Sequence, residues 1–286
     1  METITRLGVV GCGLMGSGIA EVAARRGVDV RVAEATPEAL EAGRARLTGS
    51  LERGVRRGKL TEAERDQAMA GLSFTADLGD LADRQLVIEA VAEHRDVKTE
   101  VLRALDKALG DPAAILATNT SSIPVIDLAV ATGRPDRVIG MHFFNPVPVQ
   151  QLVEVTPALS TSTETIERTL AFARQLGKQT VQATDRSGFI VNALLVPFLL
   201  SAVRMVESGG ATPEDIDRGM ELGCAHPMGP LRLLDLIGLD TIEAIAESMY
   251  AEYKEQLYAP PALLRRMTAA GRLGRKSGRG FYSYPA

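Results

Sequence analysis

The sequence has few cysteines, few histidines, no tryptophan and no excess of basic residues. Its two cysteines, Cys12 and Cys224, are too few for a disulfide framework and do not form a CxxC pair, so a reducing compartment is expected and a cysteine-based metal site is not. The net charge of -4 provides no broad cationic surface of the kind that binds a phosphate backbone. We therefore expect neither a bound metal nor a nucleic-acid partner.

Long hydrophobic runs are also missing. No window approaches the ~20 apolar residues of a membrane-spanning helix, and the first residues lack the basic segment and cleavage site of a signal peptide. A cytoplasmic protein without a membrane partner is the resulting expectation. The composition, 45% hydrophobic and 24% charged, is that of a folded globular protein, and 286 residues suit two domains.

The first part of the chain alternates short β-branched runs with longer helical patterns. Several of the runs are apolar throughout, as expected of strands buried on both faces of a parallel sheet. The pattern predicts a doubly wound, mainly parallel α/β sheet of the Rossmann type over residues 1–184. The predicted strands are Ile4–Val10, Val28–Ala33, Leu86–Val91, Ala114–Thr118, Val138–Met141 and Leu152–Val155.

From residue 185 the pattern changes from strand-like to helical. Apolar residues recur at a spacing of three to four, which predicts an all-helical C-terminal domain over residues 185–286. The predicted helices are Ile190–Val206, Pro213–Leu222, Thr241–Leu257 and Pro261–Ala270, and the two prolines Pro227 and Pro230 favour a turn around His226. Thr61 and Thr212 are predicted helix N-caps.

A glycine-rich motif follows the first predicted strand. In Gly11-Cys12-Gly13-Leu14-Met15-Gly16, Gly11 permits a tight turn, Gly13 lets the backbone approach a pyrophosphate, and Gly16 allows close packing of helix and strand. Glu34 ends the second strand, where an acid hydrogen-bonds the adenosine ribose. A carboxylate repels a 2′-phosphate and no arginine follows it, so NAD is predicted rather than NADP. The alternative is a glycine-rich turn followed by a surface glutamate.

One of the three histidines stands where chemistry is expected. His142 lies at the carboxyl end of a predicted strand, the edge at which open α/β sheets bind ligands. Twelve residues later Glu154 occupies an apolar strand, where an acid is costly unless it is paired. A histidine general base oriented by a glutamate fits both residues. A core histidine and a half-exposed strand glutamate remain the alternative.

Several longer motifs carry a family resemblance. The chain resembles the short-chain L-3-hydroxyacyl-CoA dehydrogenase family, and within it the stand-alone bacterial 3-hydroxybutyryl-CoA dehydrogenases. The resemblance implies an NAD-dependent oxidoreductase that interconverts (S)-3-hydroxyacyl-CoA and 3-oxoacyl-CoA, and a homodimer formed through the C-terminal domain. The matching segments are 11–20, 119–122, 140–146, 152–155, 188–192, 226–231 and 273–282.

The resemblance also implies roles for individual residues. His142 takes the proton of the 3-hydroxyl group, Glu154 orients that histidine, and Ser121 and Asn192 hydrogen-bond substrate oxygens. These four form the candidate catalytic set. The candidate cofactor residues are Gly11, Gly13, Leu14, Met15, Gly16, Glu34, Glu93, Lys98 and Ser121, and the candidate CoA contacts are Ser50 and Arg57, which lies among four cations within seven residues.

Other interpretations of these residues stay open at this point. Ser121 is also placed to cap a helix, and the cations around Arg57 also suit a solvated helix end. The same fold could act on a carrier-protein-bound or free hydroxy acid, or bind a nucleotide without catalysis. Three residues depart from the family pattern, namely Cys12, His94 and Ala193.

Overall fold

The computed structural model describes residues 3–285. The chain divides after Arg186 into two compact units, here called the N-terminal and the C-terminal unit. The N-terminal unit is a sheet with flanking helices, and the C-terminal unit consists of helices. The predicted fold class, a mainly parallel Rossmann-type sheet followed by a helical domain, is confirmed.

The N-terminal unit is built on an eight-stranded sheet with the order β3-β2-β1-β4-β5-β6-β7-β8. The first six strands in this order run parallel, β7 is antiparallel to β6, and β8 runs parallel to β7. The carboxyl ends of β1 to β6 therefore meet at one edge. The strands are β1 (Arg6–Val10), β2 (Asp29–Ala33), β3 (Leu72–Thr75), β4 (Leu86–Glu89), β5 (Ile115–Thr118), β6 (Val138–Phe143), β7 (Leu152–Pro157) and β8 (Gln179–Gln182).

Helices cover this sheet and bury its central strands. All residues of β4, β5 and β6 are buried, in keeping with their apolar sequences. The capping box expected at Thr61 is present, since its hydroxyl accepts the Glu64 N–H and the Glu64 carboxylate accepts the Thr61 N–H. The helices are α1 (Leu14–Ala24), α2 (Pro37–Arg56), α3 (Glu62–Ala70), α4 (Arg95–Ala108), α5 (Val125–Ala129) and α6 (Thr163–Gln175).

Three features of the sheet differ from the sequence prediction. The edge strands β3 and β8 were not predicted, because β3 is only half-buried and β8 is largely exposed and polar. The strand β6 extends two residues further than expected, so His142 lies inside the strand rather than after it. The strand β7 runs antiparallel to β6, with which it pairs from Ile139 to Phe143.

The C-terminal unit has its own apolar core, formed by α7 (Val191–Glu207), α8 (Pro213–Cys224), α9 (Pro230–Ile237), α10 (Leu239–Tyr253) and α11 (Ala262–Ala269). The predicted cap at Thr212 is confirmed. The turn expected around His226 lies between α8 and α9, and it ends at Pro230, the first residue of α9, a position that needs no free N–H. Within residues 3–285, no helix combines the length and the apolar character needed to cross a membrane.

The last residues of the described chain are held by one buried acid. The carboxylate of Asp235, 1% exposed, accepts the N–H groups of Phe281 and Tyr282 and the hydroxyl of Tyr284. Gly280 passes so close that a Cβ there would lie 1.9 Å from Asp235 Oδ1. The matching segment 273–282 therefore has a structural role, since its last residues pack against the buried Asp235 of α9.

Candidate active site

The glycine motif forms a tight connection between β1 and α1. Gly11 has a φ of 90°, which favours glycine, and a Cβ on Gly16 would lie 1.7 Å from the Gly11 carbonyl oxygen. At Gly13, by contrast, a Cβ would meet no described atom within 4 Å. Two of the glycines are thus required by the fold itself, whereas the space above Gly13 is open to a ligand.

The start of α1 is suited to a phosphate. Its N-cap is Gly13, which has no side chain to accept the first N–H groups of the helix. Such N–H groups, together with the helix dipole, bind anions. The Leu14 side chain is 62% exposed beside this end, while Met15 packs against the core. The residues present therefore fit a dinucleotide pyrophosphate.

Glu34 lies where the acid of the fingerprint was expected. Its carboxylate, at the carboxyl end of β2, accepts the N–H groups of Cys12 and Ala35. The carbonyl of Cys12 in turn accepts a hydrogen bond of 2.7 Å from Arg46. Burial, and next the Glu34 carboxylate, raise the pKa of the Cys12 thiol to about 11, so this cysteine stays a neutral packing residue. Glu34 thus contacts the glycine loop directly.

His142 and Glu154 form a pair across two neighbouring strands. They are opposite each other in the register of β6 and β7, and His142 Nδ1 lies 2.7 Å from Glu154 Oε2. Glu154 is 0% exposed and His142 is 7% exposed, so a half-exposed strand glutamate is wrong. Because an ionised carboxylate can only accept, Nδ1 carries the proton and Nε2 is the nitrogen that can take up another.

Two neighbours fix the surroundings of the imidazole. The side chain of Asn119, just after β5, accepts the N–H of Phe143 at 2.9 Å and so ties the end of β5 to the end of β6. The Phe144 ring centroid lies 4.5 Å from that of His142. Neither residue was predicted to have this role, although both belong to motifs that were recognised.

A buried lysine holds the loop that follows β6. The Nζ of Lys178 donates to the carbonyl oxygens of Val147 and Gln150, at 2.5 and 2.7 Å. Burial, together with the charges of Arg25 and Arg26, lowers the pKa of Lys178. Nothing in the sequence near Lys178 indicates this contact, because its partners lie 28 and 31 residues away.

Glu93 organises the loop after β5. One carboxylate oxygen accepts the N–H groups of Ser121 and Ser122, at 2.9 and 3.2 Å, and the hydroxyl of Thr120 at 2.5 Å. The alternative that Ser121 caps a helix is wrong, since the next helix, α5, has Pro124 at its N-cap. Partial desolvation would raise the pKa of Glu93, but the Lys98 charge and these hydrogen bonds hold it below its ordinary value.

Behind Glu93 lies a fully buried ion pair. Lys98 Nζ is 2.8 Å from Glu89 Oε1 and 3.3 Å from Glu93 Oε2, and the side chains of Lys98 and Glu89 are 1% and 0% exposed. Glu89 is absent from the sequence-based candidates. The same signal that singled out Glu154, an acid inside an apolar strand, is present in the segment Leu86–Glu89.

The remaining candidates lie further from this cluster along the chain. Ser50 is half-buried in α2, and Arg57 is the exposed C-cap of that helix. Asn192 is 8% exposed in the first turn of α7, in the C-terminal unit. His226, in the same unit, packs its ring 5.5 Å from that of Phe198. Across the part of the chain that the structure describes, no cluster of His, Cys, Asp and Glu could hold a metal ion.

Comparison with known proteins identifies the two units. Residues 6–186 match the family model for the 3-hydroxyacyl-CoA dehydrogenase NAD binding domain, and residues 188–284 match the model for the C-terminal domain of the same family. A Mycobacterium tuberculosis protein described as 3-hydroxybutyryl-CoA dehydrogenase is 59% identical over 284 residues, which cover 99% of each chain.

Solved structures agree along the whole chain. The crystal structure of M. tuberculosis FadB2 is 58% identical, with a TM-score of 0.98 over 99% of this chain and 100% of that one. The (S)-3-hydroxybutyryl-CoA dehydrogenase of Ralstonia eutropha is 44% identical, with a TM-score of 0.94 and the same coverage.

Proposed function

This chain belongs to the 3-hydroxyacyl-CoA dehydrogenase family, and from that premise we propose that it interconverts (S)-3-hydroxybutyryl-CoA and acetoacetyl-CoA. NAD as the cofactor is confirmed by the match to the NAD binding domain. The chain length of the acyl group is part of the proposal, and it is supported by the relatives that act on 3-hydroxybutyryl-CoA.

The His142–Glu154 pair is the observation that carries the proposal. When bound, NAD takes up or returns a hydride at its nicotinamide ring. In oxidation, His142 Nε2 accepts the proton of the 3-hydroxyl group, and the buried carboxylate 2.7 Å from Nδ1 stabilises the imidazolium. In reduction, the same imidazolium returns the proton. Glu154 acts through the imidazole and is therefore a positioning residue.

The other site residues are assigned by the same proposal. Ser121 and Asn192 hydrogen-bond the substrate oxygens near the reacting carbon, and Ser50 and Arg57 bind the CoA moiety. The four cations between residues 53 and 59 support the last assignment in a chain of net charge -4, because they suit a phosphorylated nucleotide. The proposal assigns cofactor binding to residues 1–184, and substrate binding and self-association to residues 185–286. It also places the protein in the cytoplasm.

Steady-state assays test the proposed substrate. Oxidation of NADH is followed with acetoacetyl-CoA, with longer 3-oxoacyl-CoAs, with acetoacetyl groups on a carrier protein, and with free acetoacetate. The proposal expects the highest kcat/KM with acetoacetyl-CoA. A higher kcat/KM with the carrier-bound or the free acid would show that the substrate is not an acyl-CoA. No turnover with any of these compounds would favour a nucleotide-binding protein without catalysis.

Glu34 is expected to determine the choice between NAD and NADP. Glu34→Ala removes the hydrogen bonds to the ribose and the charge that repels a 2′-phosphate, so NADH should bind about 10- to 100-fold more weakly, as expected from losing hydrogen bonds to a charged group. The affinity for NADPH should fall less than the affinity for NADH. The measurement is the Kd of each cofactor by fluorescence titration.

Two further variants separate the charge of Glu34 from its contact with the glycine loop. Glu34→Gln keeps an oxygen that can accept the Cys12 N–H but removes the charge, so it should still relax the discrimination against NADPH. Glu38→Ala removes an exposed acid of α2 nearby and should change neither Kd. Tighter binding of NADPH than of NADH by the wild type would refute the assignment.

Self-association is proposed to involve α7. Three apolar side chains along this part of the chain, Ile190, Leu194 and Met205, are 39%, 74% and 50% exposed, and burial of such a stripe favours an interface. Leu194→Asp should shift sedimentation from dimer to monomer. Leu159→Asp changes a 95% exposed leucine of the N-terminal unit and should leave the dimer intact. A monomeric wild type, or a dimeric Leu194→Asp variant, would contradict this interface.

A further inference from the structure

Glu89 is a buried acid to which the proposed reaction gives no role. It ends β4 and is 0% exposed. Its Oε1 accepts the Val91 N–H at 2.7 Å and the Lys98 ammonium at 2.8 Å, and its Oε2 accepts the Thr118 hydroxyl at 2.7 Å. Burying a carboxylate is unfavourable unless each oxygen is satisfied, and here both are. Its contacts join the ends of β4 and β5 to α4.

The ammonium group of Lys98 is surrounded by three oxygen atoms. An ammonium group has three N–H donors. Those of Lys98 reach Glu89 Oε1, the Val91 carbonyl at 3.4 Å and Glu93 Oε2 at 3.3 Å. The Lys98 side chain, only 1% exposed, lies behind Glu93 and contacts its carboxylate.

Glu93 transmits this arrangement to the loop after β5. Its Oε2 faces Lys98, while its Oε1 accepts the N–H groups of Ser121 and Ser122 and the Thr120 hydroxyl. The carboxylate is therefore held from one side by a buried cation and itself holds three groups of the loop on the other. Residues 89, 98, 93 and 121 form one continuous chain of contacts.

We propose that Glu89 and Lys98 are positioning residues, which fix the Glu93 carboxylate and through it the Ser121 loop in the geometry that the cofactor and substrate require. The inference rests on the proposed function, since it takes Ser121 and Glu93 as parts of that site. Two carboxylates share one ammonium in this cluster. When the charge of Glu89 is removed, Glu93 is the one carboxylate that still attracts the Lys98 ammonium. The ammonium and the Glu93 carboxylate then shift toward each other, and the Ser121 loop loses its fixed position.

The test compares Glu89→Gln with a matched control. Asp106→Asn disturbs another ion pair of the N-terminal unit, in which Asp106 lies 2.7 Å from Arg134, without touching this cluster. Both variants should lower the melting temperature. Only Glu89→Gln should weaken NADH binding and lower kcat/KM for acetoacetyl-CoA by about 10- to 100-fold, the scale expected when reacting groups are misplaced by about 1 Å.

A double variant separates positioning from stability. Glu89→Gln with Lys98→Met removes both buried charges, so the melting temperature should recover relative to Glu89→Gln, while the Kd for NADH and kcat/KM stay impaired because Glu93 has lost its cation. Wild-type Kd and kcat/KM in Glu89→Gln, or recovery of both in the double variant, would overturn the inference. If Glu89→Gln does not fold, the double variant decides. Failure of the proposed function is distinguishable from failure of this inference, because in that case the wild-type protein itself does not turn over acetoacetyl-CoA.

Discussion

Replacement of His142 by glutamine is expected to lower kcat by about 10²- to 10⁴-fold, the usual range for loss of a general base. Glutamine has an amide of similar size that can still hydrogen-bond Glu154, but it cannot take up or release a proton at neutral pH. Folding and NADH binding should therefore stay near wild type. The measurements are kcat in both directions, the Kd for NADH and the melting temperature.

Glu154→Gln tests the second member of the pair. The substitution preserves the volume and removes the charge that stabilises the imidazolium. Since the imidazolium is the proton donor in reduction, the pH above which the reductive rate falls should move to lower values, and the maximal rate should drop. His226→Gln is the matched control, because this histidine packs on Phe198 in the helical unit and should leave both profiles unchanged.

Two results would contradict the proposed role of the His142–Glu154 pair. One is a His142→Gln enzyme with near-wild-type turnover. The other is a Glu154→Gln profile in which neither the rate nor the position of its high-pH limb changes.

The sequence predicts this pair because both residues break a local rule. A histidine at the carboxyl end of a buried strand and an acid within an apolar strand each need a partner, and a separation of twelve positions suits two adjacent strands. Antiparallel pairing of β6 with β7 then places the two side chains opposite each other. The local pattern therefore indicated the two residues, whereas the antiparallel pairing that places them opposite each other is seen only in the structure.

The contacts of Lys178 and the edge strand β8 could not be found this way. A lysine at a helix-to-strand turn is ordinary in sequence, and its burial here depends on carbonyl oxygens of the loop after β6. The strand β8 is polar and largely exposed, so it lacks the alternation that marks a half-buried strand. Both are set by tertiary packing, which a local pattern does not record.

Glu89 is an intermediate case. The apolar strand Leu86–Glu89 shows an acid that needs a partner, as Glu154 does. However, its partners Lys98 and Thr118 lie 9 and 29 residues away on different elements, and the nearer acid Glu93 matched the family motif. The sequence could thus have predicted that Glu89 is buried and paired, but it could not have predicted that Lys98 is enclosed by two carboxylates.

The glycine loop gives the second large expected effect, because its three glycines are required for different reasons. Gly16→Ala places a Cβ 1.7 Å from the Gly11 carbonyl oxygen, so the loop must move. We expect a loss of ~1–3 kcal/mol or more in the free energy of unfolding, as for other overpacked sites, and loss of NADH binding. Thermal unfolding and fluorescence titration measure the two effects.

Gly13→Ala should separate binding from folding. A Cβ at this position meets no described atom within 4 Å, so the fold is retained with at most a small change in stability at the helix N-cap. The new methyl group nevertheless occupies the space through which the pyrophosphate approaches the backbone. NADH should bind about 10- to 100-fold more weakly, as expected when hydrogen bonds to a charged group are lost. Gly219→Ala, in α8, adds a methyl group in similarly open space within the described structure; it should leave NADH binding unchanged and, because alanine favours a helix interior over glycine, should not lower the stability. Wild-type NADH affinity in Gly13→Ala would show that the pyrophosphate does not lie against this loop.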